Sequence, residues 1–178
     1  MRQDKKDTSV RGEEKALGFT HQLMVEIGTR WLTRQYSGIV VLPEYSRASG
    51  ETPDVIGFGK RNSYLIECKI SHTDFLADKR KPYRENGSGM GNYRWYLSPC
   101  VIPRDELPYG WGLLVYRNGR VFKLVNPVRF SHASIREHEY GILQSLVRRA
   151  EIRGLIPQLR LGLGESPTPP PSTESVKP

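Results

Sequence analysis

Residues 52–70, TPDVIGFGKRNSYLIECKI, contain two short apolar runs, DVIGF and SYLIECKI, joined by the Gly- and Asn-containing GKRN. Runs of this length, rich in β-branched and aromatic residues and bounded by turn formers, predict two strands of an antiparallel hairpin. The second run is the most apolar strand of the chain, yet it carries Glu67 and Lys69 one residue apart. An unpaired buried charge costs several kcal/mol or shifts its pKa until it neutralises, so these two need partners. Side chains two apart in a strand share a face. Leu65, Glu67 and Lys69 therefore point one way, and Tyr64, Ile66, Cys68 and Ile70 the other, towards a helix-covered core.

Asp54 begins the first run and comes close to Glu67 if GKRN closes a hairpin. Two carboxylates meeting this way repel unless a cation sits between them, and oxygen ligands suit Mg²⁺ or Mn²⁺. A lysine beside such an ion orients water and balances charge building on a phosphate. The set suits phosphodiester hydrolysis better than acyl transfer, because no Ser/His or Cys/His nucleophile pair stands out nearby. The same three side chains also make an ordinary strand-face ion pair, with Asp54 capping a turn after Pro53.

Outward from this hairpin, EEKALGFTHQLMVEIGTRWLTRQY places Leu17, Leu23, Met24, Ile27, Trp31 and Leu32 at helical spacing. IVVLPE is a short strand after Gly38. Ser71-His-Thr-Asp74 has the spacing of a helix N-cap, and DFLADKRK continues as a helix that Pro82 stops or bends. ENGSGMGN is expected to be a mobile loop and YRWYLS a strand, with Tyr93, Trp95 and Tyr96 packing in a core rather than stacking on bases. GWGLLVY and RVFKLV flank Asn118-Gly119, a hairpin signal, and 134–153 has the pattern of a closing helix. The expected order is α-β-β-β-α-β-β-β-α, an α/β domain with helices packed on a mixed sheet. Residues 1–12 and the Pro/Ser-rich 161–178 are read as disordered tails around a domain spanning 13–160.

The 178 residues suit one domain with tails, and 27 Lys and Arg against 19 Asp and Glu give a net charge of +8. That excess fits a polyanionic partner such as nucleic acid. Cys68 and Cys100 are too few for a disulfide framework or a zinc site, and His21, His72, His132 and His138 show no metal-ligand spacing with them. His72 is read as part of a helix cap. MRQDKKDTSVRGEEKA has no apolar core of a secretory signal, and no stretch approaches the ~18 apolar residues of a membrane span. A cytoplasmic setting without membrane association is expected, in a bacterium or, for a phage protein, its host.

Pro53-Asp54 followed after twelve residues by Glu67-Cys68-Lys69, with αβββαβ around it, resembles the PD-(D/E)xK nuclease superfamily over roughly 15–100. Within it, VLPEYSRASGETPDVIGF and YLIECKISHTDFLADKRK look most like small bacterial DNA-repair nuclease-like proteins and their phage relatives. The resemblance implies a restriction-endonuclease-like core with an added hairpin and closing helix. It implies Mg²⁺- or Mn²⁺-dependent hydrolysis of DNA in repair, recombination or phage DNA metabolism. Asp54 and Glu67 would then be metal ligands, joined by the Cys68 carbonyl, with Lys69 the catalytic lysine. Glu26 matches a first-helix glutamate that points at such sites, and Glu44 is a further acidic residue at a strand end. Lys79, Arg80, Lys81 and Arg84 would contact the DNA backbone, and a homodimer is compatible with this reading. The alternative is a non-cleaving member of the fold that binds nucleic acid or a protein, for example a phage-encoded inhibitor of host proteins.

Overall fold

The computed structural model describes residues 18–44, 52–84 and 88–156. The expected tails, Leu17 and part of the glycine loop lie outside them. The order is α1 (His21–Gln35), β1 (Val40–Pro43), β2 (Val55–Phe58), β3 (Ser63–Cys68), α2 (His72–Lys79), β4 (Tyr93–Ser98), β5 (Gly112–Arg117), β6 (Arg120–Val125) and α3 (Ala133–Ile152). The chain is an α/β protein, with the strands side by side in chain order in one six-stranded sheet. β1, β2 and β3 run antiparallel, β3 to β5 parallel, and β6 returns antiparallel. The chain divides into two compact units, 1–139 and 140–178, with the boundary inside α3.

In the first unit each face of the sheet has its own core. Met24, Val25, Ile27 and Leu32 of α1 pack on Val55, Tyr64, Ile66, Cys68, Trp95 and Leu97. Leu65, Phe75, Tyr96, Trp111, Leu113, Phe130 and Ile135 form the second cluster. Each such side chain removed from water contributes about 1.5–3 kcal/mol. α1 lies close on the sheet because Gly28 carries no side chain; a Cβ there would stand 3.3 Å from Leu97 and 3.4 Å from Val55.

α1 begins later than its periodicity suggests. Gly18 has φ +94°, and the Thr20 side chain accepts the Leu23 N–H at 3.2 Å, so Thr20 caps a helix whose first residue is His21. The cap expected at Ser71 forms, with its Oγ accepting the Asp74 N–H at 3.1 Å. The β2–β3 turn closes through Gly59 N–H to the Asn62 carbonyl at 3.0 Å. Asn118 and Gly119, at φ 51° and 74°, make the two-residue β5–β6 turn. Ile70, expected in the core, is 37% exposed, because β3 ends at Cys68 and the chain turns into α2.

The described part of the glycine loop, from Ser88 on, is anchored. Arg94, itself buried, donates to the carbonyls of Gly91 at 3.0 Å and Ser88 at 2.7 Å, and Met90 is buried. Gly91 has φ +85°, and a Cβ there would lie 2.6 Å from Leu65 Cβ. Of the second unit, 140–152 is the remainder of α3. It ends at Gly154 (φ 68°), whose N–H reaches the Glu151 carbonyl at 2.9 Å, while Leu155 N–H reaches Ala150 at 2.8 Å.

Gly91→Ala should cost at least about 2 kcal/mol in denaturant unfolding, combining a left-handed backbone with an unavoidable clash. Wild-type stability for this variant would contradict the packing of the loop against β3.

Candidate active site

Strand register brings the acidic residues together. Val55 pairs with Ile66, so the next antiparallel step sets Asp54 opposite Glu67. Asp54 is tied down on three sides. Its Oδ2 accepts the Cys68 N–H at 2.7 Å, its carbonyl accepts the Glu44 N–H at 2.7 Å, and its Oδ1 lies 3.3 Å from His21 Nε2. Lys69 extends the parallel pairing beyond β3 by donating its N–H to the Leu97 carbonyl at 2.9 Å. This holds its side chain on the same face as Glu67.

Lys69 Nζ lies 3.4 Å from Glu67 Oε2, 3.8 Å from Asp54 Oδ2 and 3.3 Å from Asp78 Oδ1. Glu67 and Lys69 are 1% and 5% exposed, whereas the Asp54 side chain keeps 16%. Solvent therefore reaches the site past Asp54, where His21 and Glu44 stand half-exposed at 3.7 Å from each other. Glu44 adopts φ +42°, an uncommon conformation for a residue with a side chain, beside the N–H that holds Asp54.

Asp78 and Arg84 complete the cluster. Arg84 grips Asp78 with two nitrogens, at 2.7 and 3.1 Å, and places Nη2 3.2 Å from Glu67 Oε1. Tyr96, paired across from Glu67 on β4, donates its hydroxyl to Asp78 at 3.0 Å. Lys81 reaches Asp78 from the surface at 2.7 Å. The Arg84 guanidinium also lies over the Trp111 ring, 5.1 Å from its centre. Glu67 Oε1 nevertheless accepts no hydrogen bond from the described residues.

Burial alone would raise the Asp78 pKa, but the hydrogen bond and charge of Arg84, with Lys69 and Lys81, hold it well below the usual carboxylate range. Burial would lower Lys69, and Glu67, Asp78 and Asp54 together outweigh it, so its pKa is raised and the group stays an ammonium. Glu67 bears the imbalance. Burial pushes it up to about 8; Asp54 and Asp78 add to this, and Arg84 and Lys69 counter only in part. Burial also raises the Cys68 thiol well above its ordinary value, as does the charge of Asp54, so Cys68 is an inert core side chain.

The expected site residues divide as follows. Asp54, Glu67 and Lys69 converge, and Cys68 contributes its N–H to Asp54. Glu26 is exposed on α1, and no ion pair or hydrogen bond among the described residues joins it to the cluster. His21 takes the α1 position instead. Five residues at about 100° each set the two roughly 140° apart around the helix. Arg84, expected to contact DNA, is buried on Asp78 and Glu67 and does not face solvent. Lys81 is engaged by Asp78, while Lys79 is half-buried and Arg80 exposed. His72, the first residue of α2, pairs with Glu106 at 2.6 Å. Trp95 and Tyr96 are core residues, as expected.

Among the described residues, no three of His, Cys, Asp and Glu are grouped so as to hold a metal ion. No protein-family model and no curated protein matches the chain. A solved structure of a protein of unknown function from Silicibacter pomeroyi is similar, with TM-score 0.54 and 24% identity over 84% of this chain and 100% of that one. At that identity the likeness carries the fold alone. No helix among the described residues is long and apolar enough to cross a membrane.

The raised Glu67 pKa sets a sign for stability. Between its unfolded value near 4.5 and about 8 the folded chain binds the extra proton, so stability through this group falls as pH rises across that interval. Glu67→Gln cannot ionise, so its melting temperature should fall less from pH 6 to pH 9 than that of wild type (measured by circular dichroism at both ends). Parallel pH profiles would contradict the assignment of the proton to Glu67.

Proposed function

We propose that Asp54, Glu67 and Lys69 form a PD-(D/E)xK-type site that hydrolyses DNA phosphodiester bonds with Mg²⁺ or Mn²⁺, on a restriction-endonuclease-like core. The observation that supports this most is the convergence of the three side chains, with Lys69 Nζ 3.4 Å from Glu67 and 3.8 Å from Asp54. The donor set suits a hard divalent ion in two respects. Glu67 Oε1 meets the Arg84 guanidinium at 3.2 Å without accepting a hydrogen bond from it, and burial, with the charges of Asp54 and Asp78, disfavours the Glu67 carboxylate unless a further cation is bound.

Asp54 and Glu67 would hold the ion, with the Cys68 carbonyl. Such an ion supplies a water of lowered pKa and a Lewis acid for phosphate oxygen. The chain's own groups do the rest. Lys69, kept protonated by its carboxylate neighbours, serves as a hydrogen-bond donor and a positive charge rather than as a proton acceptor. Asp78 and Arg84 do not face substrate; they hold Lys69 and Glu67 in place. Asp54, the most accessible of the three, lies where a phosphate would approach.

A second reading, a member of the fold that binds nucleic acid without cleaving it, is favoured by Arg84. Its guanidinium lies 3.2 Å from Glu67 Oε1, where an added cation would compete with it.

Labelled single-stranded, duplex and branched DNA should be cut in Mg²⁺ or Mn²⁺ by wild type. Asp54→Ala and Lys69→Ala should each lose about 10²-fold or more in rate while still melting cooperatively, Lys69→Ala at a lower temperature than wild type. Equal cleavage by all three would remove the site assignment. Binding without cleavage on every substrate would select the second reading.

A further inference from the structure

The cations expected to meet phosphate near Asp54 are partly committed elsewhere, since Arg84 and Lys81 both serve Asp78. Another group of cations is free. A cleft of about 480 Å³ opens at the β2–β3 turn, lined by Lys60, Arg61, Arg129 and Arg136 among others. All four are exposed. Among the described residues Lys60, Arg61 and Arg136 make no ion pair, and Arg129 uses only its Nε, on Asn62 Oδ1 at 3.0 Å. Ser131, His132 and Ala133 line the same cleft where α3 begins, and the first turn of α3 holds no acidic residue to offset its positive end. The cleft and the carboxylate cluster occupy opposite ends of the β2–β3 hairpin. Asp54 and Gly59, five residues apart, are separated by roughly 16 Å at ~3.3 Å per residue.

The floor indicates what kind of anion fits. Glu139 sits there, accepting from Ser63 Oγ and from the Gly91 N–H at 3.0 Å. Asn92 is likewise occupied, its Oδ1 taking the Ser63 N–H at 2.9 Å and its amide donating to the Phe130 carbonyl at 2.9 Å. A phosphate sinking to the floor would meet a carboxyl group and few free donors. Phosphates held at the rim would meet the four cations instead. Rim cations over an occupied floor suit a run of backbone phosphates and offer little to read a base.

We propose that this cleft is a nucleic-acid backbone site, sequence-tolerant and separate from the Asp54–Glu67 cluster. It shares its partner class with the proposed function but not its residues. Binding measured without divalent metal therefore tests it independently of cleavage.

The test is fluorescence anisotropy of a labelled single-stranded oligothymidylate with the full chain in EDTA, across a salt series. Lys60→Ala, Arg61→Ala, Arg129→Ala and Arg136→Ala should each weaken binding several-fold and reduce the salt slope by about 1. Arg120→Ala, an equal charge change on exposed β6, should leave it within about two-fold of wild type, the size of a remote screened charge. All of these positions are exposed, so melting temperatures should match wild type. Absence of binding, unchanged binding in the cleft variants, or equal loss with Arg120→Ala would overturn the proposal. Displacement by thymidine monophosphate as effectively as by oligonucleotide, phosphate for phosphate, would also overturn it, by showing a small-ligand pocket.

Discussion

The candidate site rests on carboxylates and cations buried together inside the sheet, where burial weighs most heavily on Glu67. Asp54, Glu67 and Asp78 meet two buried cations, Lys69 and Arg84, with Lys81 reaching in from the surface. Asp78 takes both hydrogen bonds that Arg84 can direct to one carboxylate and shares Lys69, so it stays ionised. Glu67 is pushed towards its protonated form chiefly by burial, with Arg84 and Lys69 countering only in part. Removing one partner from such a buried network leaves an uncompensated charge, a loss of about 3–5 kcal/mol. The cluster therefore constrains α2, which carries Asp78, and the 3₁₀ turn Pro82–Arg84 that follows it.

The same network explains why the basic run after α2 is a poor place to look for free phosphate ligands. Arg84 turns inward and Lys81 folds onto Asp78, so only part of DKRKPYR presents charge to solvent. The chain's net charge of +8 must appear elsewhere, and the cleft at the β2–β3 turn is one place where it does. In this arrangement the proposed chemistry and the proposed backbone attraction lie at opposite ends of one hairpin.

Much of this was legible in the sequence. Period-two alternation placed Leu65, Glu67 and Lys69 on one face and Tyr64, Ile66 and Cys68 on the other, because a strand leaves no other choice once one face is buried. GKRN signalled its turn by composition, and Asn118-Gly119 did so through residues that tolerate the required left-handed backbone. Other parts were hidden. Helical periodicity marks the buried stripe but not which residue outside it meets a neighbouring strand end; the resemblance puts Glu26 at the site, and His21 stands there instead. Asp78 was visible only as the residue three after the core Phe75 on one helix face, a weak sign that its carboxylate points inward. That Arg84 serves Asp78 rather than DNA depends on a tertiary contact, which charge and spacing do not encode.

The proposed metal chemistry requires that a divalent ion displace the proton on Glu67 and compete with Arg84 for its carboxylate. Diffraction from Mn²⁺-soaked crystals, recorded above the manganese absorption edge, tests this directly. An anomalous peak within coordinating distance of both Asp54 and Glu67, with Glu67 Oε1 drawn away from Arg84, is the expected result. No peak there, with Glu67 still paired to Arg84 and Lys69 at saturating Mn²⁺, would contradict it and leave the cluster as a structural ion network.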